Sequence, residues 1–375
     1  MKVLILTPKF HPIIGGGETY TLNLSRKLYA SGIHIVVATE PHPQRNINDY
    51  KFKVKEIPGL SDDSLDLYQS IPKLHETLVE FEPDVIHTHG YFGLLVASLS
   101  THNVPVVASV HSSPVQNKRV FGSFNNFAAE VTFAQNVVRA AAPRVFISGS
   151  KSYLSMAKMI VNNRIRLEFL PYPVDADFFG EIQGSKTSRA ILNKDTIVML
   201  PSRIIERKGV AEAIEALAYL DKRFKLSLPG AYLPADKDFW QRIKTGQAWK
   251  KYRCRVIIPK KPAYYDDLPM WYQESDIIIM PSYYEGYGLA ALEAMSAGKP
   301  VIGTNVQGLN EVIEHERNGL LIPAKNPRAL ASAITRLHQD KKLEATVIKN
   351  GRRYAQEHSW VKHIAEVRSL YESIL

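Results

Sequence analysis

The sequence predicts an α/β protein built from two doubly wound parallel-sheet domains, and three observations predict it. The chain has 375 residues, more than one hydrophobic core usually serves. Short β-branched runs alternate with amphipathic stretches in both halves, the pattern of a parallel sheet covered on both faces. A stretch rich in proline and glycine separates the two series. The composition, 45% hydrophobic and 22% charged, is that of a globular chain.

In the first half, Lys2–Thr7 reads as a buried strand, followed by the glycine loop Gly15-Gly16-Gly17-Glu18 and a helix over 18–30. Gly32 ends that helix and His34–Thr39 reads as the next strand. Further strands are expected at 84–89, 104–111 and 144–148, each with a helical pattern behind it. Pro171, Pro173, Gly180 and Gly184 then break the rhythm. A second series follows at 196–201, 224–228, 255–258, 276–280 and 300–303. From about Asn326 the pattern is helical throughout, and the last helix, 360–375, has room to fold back across the linker. The expected plan is therefore 1–172 with the returning 358–375, a linker at 173–193, and a second domain at 194–357. In such sheets ligands lie beyond the carboxyl ends of the strands, so two domains facing each other would enclose a cleft.

Composition also narrows the class. The one cysteine, Cys254, can form neither an intramolecular disulfide nor a thiolate metal site, which fits a reducing cytoplasm. The N-terminal apolar run is too short for a signal-peptide core, and no stretch approaches the roughly 20 apolar residues that cross a bilayer. A net charge of +10 admits a phosphate-bearing substrate, nucleic acid or an anionic membrane surface. The basic residues read as dispersed, with no tail and no binding module, which disfavours nucleic acid. Peripheral membrane contact stays open.

Four motifs follow expected strands. In the segment 281–294, a loop carrying Glu285 leads through Gly286, Tyr287 and Gly288 to a helix near Leu289, with Glu293 further along it. Glycines let the backbone approach a ligand, a helix start offers unpaired N–H groups, and carboxylates accept hydrogen bonds from vicinal hydroxyls. That set suits a ligand with hydroxyls at both ends and phosphates between, a nucleotide sugar. A glycine loop with two surface glutamates is the competing reading. In 201–209, Arg203 and Lys208 bracket a loop opening into a helix over 210–220, a fork and a point charge for a diphosphate; a solvated basic turn is the alternative. Gly16 and Gly17 can present N–H groups to phosphate, although Tyr20 occupies the third-glycine position of a dinucleotide fingerprint. His111 ends a buried run and can act as hydrogen-bond donor or general acid–base. His87 and His89 end the neighbouring strand, and their spacing demands no metal.

Taken together these residues resemble the retaining GT-B enzymes of glycosyltransferase family 4, nearly end to end. Glu285 and Glu293 reproduce the family's Glu-x7-Glu spacing, Arg203 and Lys208 its Arg-x4-Lys pair, Gly16 and Gly17 its glycine loop, and His111 a functional histidine near the donor sugar. The segment 308–313, Asn318-Gly319 and Ser359-Trp360 resemble later landmarks. The resemblance implies a GT-B fold and transfer from a UDP- or GDP-sugar, as co-substrate, to an acceptor hydroxyl with retention, without metal or other cofactor. It implies that Glu285 and the backbone of Gly286, Tyr287, Gly288 and Leu289 bind the sugar, that Glu293 holds the ribose, and that Arg203 and Lys208 neutralise the diphosphate. The acceptor, whether glycan, lipid or small molecule, is not specified.

The sequence departs from the family at Pro171-Tyr172-Pro173-Val174-Asp175, where Asn-Gly commonly precedes Val-Asp. It departs again at Asn310, and at Lys260 and Lys261 near the expected base site. Asp175-Ala176-Asp177 matches a metal-binding Asp-x-Asp of another architecture but falls in the linker. Gly286 to Ala291 fits Gly-x-Gly-x-x-Ala of oxidoreductases, yet residues 282–285 intervene after its strand and Arg203, Lys208 and Glu293 go unexplained. A GT-B epimerase or phosphorylase, or a noncatalytic sugar-nucleotide binder, are the nearer alternatives. The stretch 118–144, with Phe121, Phe124, Phe127, Val131 and Val138 near helical spacing, reads as a helix on the sheet, or as a membrane or acceptor wall.

Overall fold

A computed structural model describes the chain apart from residues 14, 61–65, 101–102, 112–126, 162–163, 181–194, 233–235 and 264. It divides into two compact units, Met1–Tyr172 with Trp360–Leu375, and Pro173–Ser359.

The first unit holds strands β1 (Lys2–Thr7), β2 (His34–Thr39), β3 (Lys53–Glu56), β4 (Val85–His89), β5 (Val106–Ser109), β6 (Val145–Ser148) and β7 (Arg166–Phe169). They form one sheet in the order β3-β2-β1-β4-β5-β6-β7, with every pairing parallel. Val3, Leu4, Ile5 and Leu6 are completely buried because helices cover both faces of such a sheet. The last helix, Trp360–Glu372, completes this unit. Tyr20 stacks on Trp360 at 5.6 Å and its hydroxyl meets His363 Nε2 at 2.8 Å. Tyr371 Oη meets His87 Nδ1 at 2.6 Å.

The second unit holds β8 (Thr196–Met199), β9 (Phe224–Ser227), β10 (Val256–Ile257), β11 (Ile277–Met280), β12 (Val301–Thr304) and β13 (Leu320–Ile322). Its order is β10-β9-β8-β11-β12-β13, again all parallel. Arg255 is buried at one end of this core and gives its guanidinium to four carbonyls: Phe224 at 3.1 Å, Leu217 at 2.7 Å, Leu220 at 3.3 Å and Asp221 at 2.6 Å. Those bonds close the 3-10 turn Leu217–Tyr219 that ends the helix Val210–Ala216. Helices Pro327–Gln339 and Lys341–Glu357 finish the unit.

Three differences from the sequence reading have physical causes. Strands β3, β7 and β13, none of them anticipated, are all sheet edges; β3 and β7 mix charged with apolar residues, as edges do, and β13 is three residues long. Helix Gly16–Ala30 begins before Glu18, so Gly16 and Gly17 lie in its first turn and not in a loop. Strand β5 stops at Ser109, two residues short of His111. Residues Lys118, Phe121 and Phe124 of the aromatic stretch lie outside the described residues; helix Phe127–Ala141 buries Ala134, Val137 and Val138 in the core. Among the described residues no helix is long and apolar enough to cross a membrane.

Candidate active site

In the second unit the strand order reverses between β8 and β11, the place where doubly wound sheets bind ligands. The loop after β8 carries Arg203 and Lys208, and the loop after β11 carries Glu285. Two glycines hold them together. Gly209 has φ +69, and a Cβ there would collide with the carbonyl of Pro281. Tyr283 N–H donates to the Arg207 carbonyl at 2.8 Å across the same seam. Gly308, with φ +87, presses on the other side, where a Cβ would lie 2.5 Å from the Glu285 carbonyl oxygen. A side chain at either position would strain the backbone and push the loops apart.

Glu285 is only 8% exposed. Lys208 Nζ donates to its Oε1 at 2.5 Å and Ser282 Oγ donates to the same oxygen at 2.7 Å. Arg207 Nη1 stands 3.6 Å from Oε2, with its guanidinium 5.2 Å over the Tyr284 ring. Burial pushes the Glu285 carboxyl up, but the Lys208 and Arg207 charges and the two hydrogen bonds outweigh it and hold it below its ordinary value. Burial pushes the Lys208 ammonium down, opposed by Glu285 and reinforced by Arg207 and Arg203. Arg203 is therefore close enough for its charge to act on Lys208.

Gly288, φ +104, caps the helix Leu289–Ser296; Tyr287 before it is buried and Gly286 half-buried. Glu293 lies in this helix and accepts from Tyr272 Oη at 2.8 Å. Burial pushes its carboxyl up to about 7, resisted by the Tyr272 hydrogen bond and the Lys208 charge. Lys208 thus touches Glu285 and acts electrostatically on Glu293, and Arg203 acts electrostatically on Lys208, so the two carboxylates and two cations read from the sequence are coupled through one ammonium. Lys260 and Lys261 are exposed beyond β10. Asp175 accepts from Phe178 N–H at 3.2 Å and caps the short helix Ala176–Phe179.

In the first unit the order reverses between β1 and β4. Gly17 faces His111, whose Cβ would lie 3.7 Å from a Cβ at that glycine. His89 Nδ1 and His111 Nε2 are 2.7 Å apart, so one donates and the other accepts. Thr21 settles which. Its hydroxyl donates to the Gly17 carbonyl at 2.8 Å, so towards His89 Nδ1, 3.3 Å away, it can only accept. His89 therefore holds its proton on Nδ1, His111 accepts at Nε2, and His111 Nδ1–H donates to Tyr172 Oη at 2.6 Å. Burial pushes His111 down to about 4. Such an imidazole is uncharged at neutral pH and is therefore no general acid there, while its Nδ1–H can donate and its Nε2 accept. His87 spends both nitrogens, on Tyr371 and on Ser109 Oγ at 2.7 Å. His89 and His111 are stacked and hydrogen-bonded, while the His87 ring only packs tilted against His89 at 4.5 Å; among the described residues no cluster suits a metal ion.

Sequence reasoning missed Arg207, Ser282, Tyr272, Gly308, Thr21 and Tyr172. Arg207 and Ser282 stood inside quoted motifs, and their adjacency to Lys208 and Glu285 was the available signal. Tyr272 and Tyr172 carried none.

Comparison with known proteins bears on the family and the fold. The family model described as Glycosyltransferase Family 4 matches residues 14–167, and that described as Glycosyl transferases group 1 matches residues 183–354. An uncharacterised glycosyltransferase of Methanocaldococcus jannaschii is 24% identical, over 99% of this chain and 98% of its own. Among solved structures, sucrose-phosphate synthase of Thermosynechococcus elongatus superposes with a TM-score of 0.84 at 22% identity, covering 100% of this chain and 99% of its own. Anabaena HepE, in complex with UDP and glucose, also gives 0.84, at 20% identity with 100% of both chains covered. Two family models that together account for both sheets, and full-length likeness to structures of the same architecture, place the chain in glycosyltransferase family 4, the group 1 glycosyltransferases of GT-B fold.

Proposed function

We propose that this glycosyltransferase moves a hexose from a UDP- or GDP-sugar to an acceptor hydroxyl with retention of configuration, and that the second unit binds the donor while the first serves the acceptor side. The observation that carries the reading is the Lys208–Glu285 bond at the strand reversal of the second unit, with Arg203 and Glu293 coupled by charge to the same ammonium. HepE has been crystallised with UDP and with UDP-glucose, which favours a UDP-sugar as the first donor to test.

An ammonium has three N–H donors. Lys208 can keep its bond to Glu285 and still give two to the donor diphosphate, so binding does not require that pair to break. Arg203 adds a planar fork beside it. Glu285, held ionised, accepts from sugar hydroxyls and stabilises positive charge developing at the anomeric carbon. Glu293 accepts from the ribose. The departing phosphate, on the same face as the incoming hydroxyl, takes its proton, so neither glutamate need act as a nucleophile. Charge placed in advance and orientation supply the rate. His111, neutral, turns its Nδ1–H to a sugar hydroxyl once the donor is engaged, exchanging the bond to Tyr172 that it makes in the free protein. No metal takes part.

The test incubates the protein with a panel of UDP- and GDP-hexoses and measures released nucleoside diphosphate, with NMR reading the anomer first formed. Slow hydrolysis of one donor, giving the donor's own anomer, is expected. The opposite anomer would overturn retention, a new sugar epimer on intact nucleotide would identify an epimerase, and binding without release would leave a sugar-nucleotide binder.

A further inference from the structure

The surplus charge is not dispersed, as the sequence reading had it. Residues 236–261 hold nine lysines and arginines against two aspartates, seven of the ten surplus charges of the chain. This segment comprises helices Lys237–Thr245 and Gln247–Tyr252 and the sheet-edge strand β10. Its apolar side is spent inward: Trp240 lies in the core of the second unit, and Phe239, Ile243, Trp249 and Tyr252 pack against it. Arg255 is spent inward too. What faces out is basic, with Arg242, Lys250, Lys251, Arg253, Lys260 and Lys261 all exposed.

Several surface cations elsewhere are neutralised along their own helices, as Lys341 is by Glu344 and Arg368 by Glu372. Among the described residues, Arg242 alone of those six has a carboxylate partner, Glu206 at 3.2 Å. A field of this size with a single carboxylate partner calls for an external anion. Two features choose its kind. Ile258 is 40% exposed beside Lys260, and Tyr232 is 47% exposed with its ring 6.5 Å from Trp240. An aliphatic side chain finds no partner on a polynucleotide backbone but is stabilised at the boundary between headgroups and acyl chains, where tyrosine also concentrates. Four or more basic residues on an amphipathic helical face, with apolar side chains at its rim, match an anionic bilayer.

We propose that this face of the second unit, formed by residues 237–261, docks on an anionic phospholipid surface. The inference does not rest on the donor reading: Lys250, Lys251 and Ile258, which test it, are none of the residues assigned to the donor. The test sediments the full chain with phosphatidylcholine vesicles made with and without phosphatidylglycerol, at low and high salt. Binding is expected only to the anionic vesicles and is lost at high salt. Lys250→Gln with Lys251→Gln should weaken it roughly tenfold or more, whereas Lys341→Gln with Lys342→Gln, an equal charge change on another exposed helix, should not. Ile258→Ser should weaken vesicle binding and leave heparin retention unchanged. Equal losses in the two double variants would mean attraction by net charge alone and overturn the proposal. So would wild-type protein that ignores the vesicles, or that binds single-stranded nucleic acid in their place.

Discussion

Replacing Glu293 by glutamine should stabilise the protein and weaken its grip on nucleotide at the same time. Burial holds the Glu293 carboxyl at about 7 against an ordinary 4.5, so folding disfavours its charged form. The sign follows directly. A group raised on folding carries no penalty below about pH 4.5, where it is protonated in both states. The penalty grows as pH rises and is complete above about 7. Its ceiling is about 3 kcal/mol, at about 1.4 kcal/mol for each decade of displaced equilibrium. Glutamine keeps the shape and its carbonyl can still accept from Tyr272 Oη, now 2.8 Å from Oε2, but it has no charge to desolvate. Calorimetry at pH 8.5 should therefore show the variant melting higher, by roughly 3–8 °C for a stabilisation of about 1–3 kcal/mol. At pH 4.5 the two proteins should melt together. UDP should bind the variant roughly tenfold or more weakly at pH 8.5, because a neutral amide accepts poorly from two ribose hydroxyls. An increment that is the same at both pH values, or a variant less stable at pH 8.5, would show that the carboxylate is not strained in the free protein and would refute the reasoning.

Lys208→Ala leaves the buried Glu285 carboxylate without its shortest partner. Donor affinity and turnover should fall together, each roughly tenfold or more, read by titration calorimetry and steady-state release; wild-type turnover would remove Lys208 from the diphosphate. His111, pushed down to about 4, should stay neutral from pH 5 to 8, and nitrogen NMR should find its proton on Nδ1. A rate inflection near 6.5 that disappears in His111→Asn would contradict this. Arg255→Met strands four carbonyls and should cost the second unit about 2–3 kcal/mol in chemical denaturation, while UDP affinity at low temperature stays within about twofold; a large affinity loss without unfolding would place Arg255 in the site.

What could be read from the sequence was whatever depends on neighbours along the chain. Strands β1, β4, β8 and β11 are buried on both faces and spell themselves out as runs such as Val3-Leu4-Ile5-Leu6 and Ile277-Ile278-Ile279-Met280. The edges β3, β7 and β13 pair on one side only and tolerate charges, so Lys53-Val54-Lys55-Glu56 carries no comparable signal. The motif residues followed the same rule. Glu285, Gly288 and Glu293 sit in one strand–loop–helix unit with a legible spacing. Their partners Tyr272 and Lys208 come from other turns of the sheet, and no spacing announces a hydrogen bond across 77 residues. The protonation of His111 was least legible of all, because it depends on a threonine 90 positions earlier in the chain having already committed its proton to Gly17.

That dependence separates the two halves of the proposed chemistry. At the second unit's strand reversal the charges are opposed: Glu285 is held ionised by Lys208 and Arg207, and a carboxylate fixed in that way does not titrate near neutral pH. At the first unit's reversal the histidines are neutral: burial lowers the basicity of His87, His89 and His111, and Thr21 assigns the protons of His89 and His111. A leaving diphosphate needs the first kind of environment, since its charge grows as the bond breaks and only standing cations can meet it. An uncharged hydroxyl needs the second, because a charged histidine beside it would compete for the lone pair that must attack. The proposed division of labour, donor to the second unit and acceptor to the first, rests on this contrast between the Lys208–Glu285 pair and the neutral histidines.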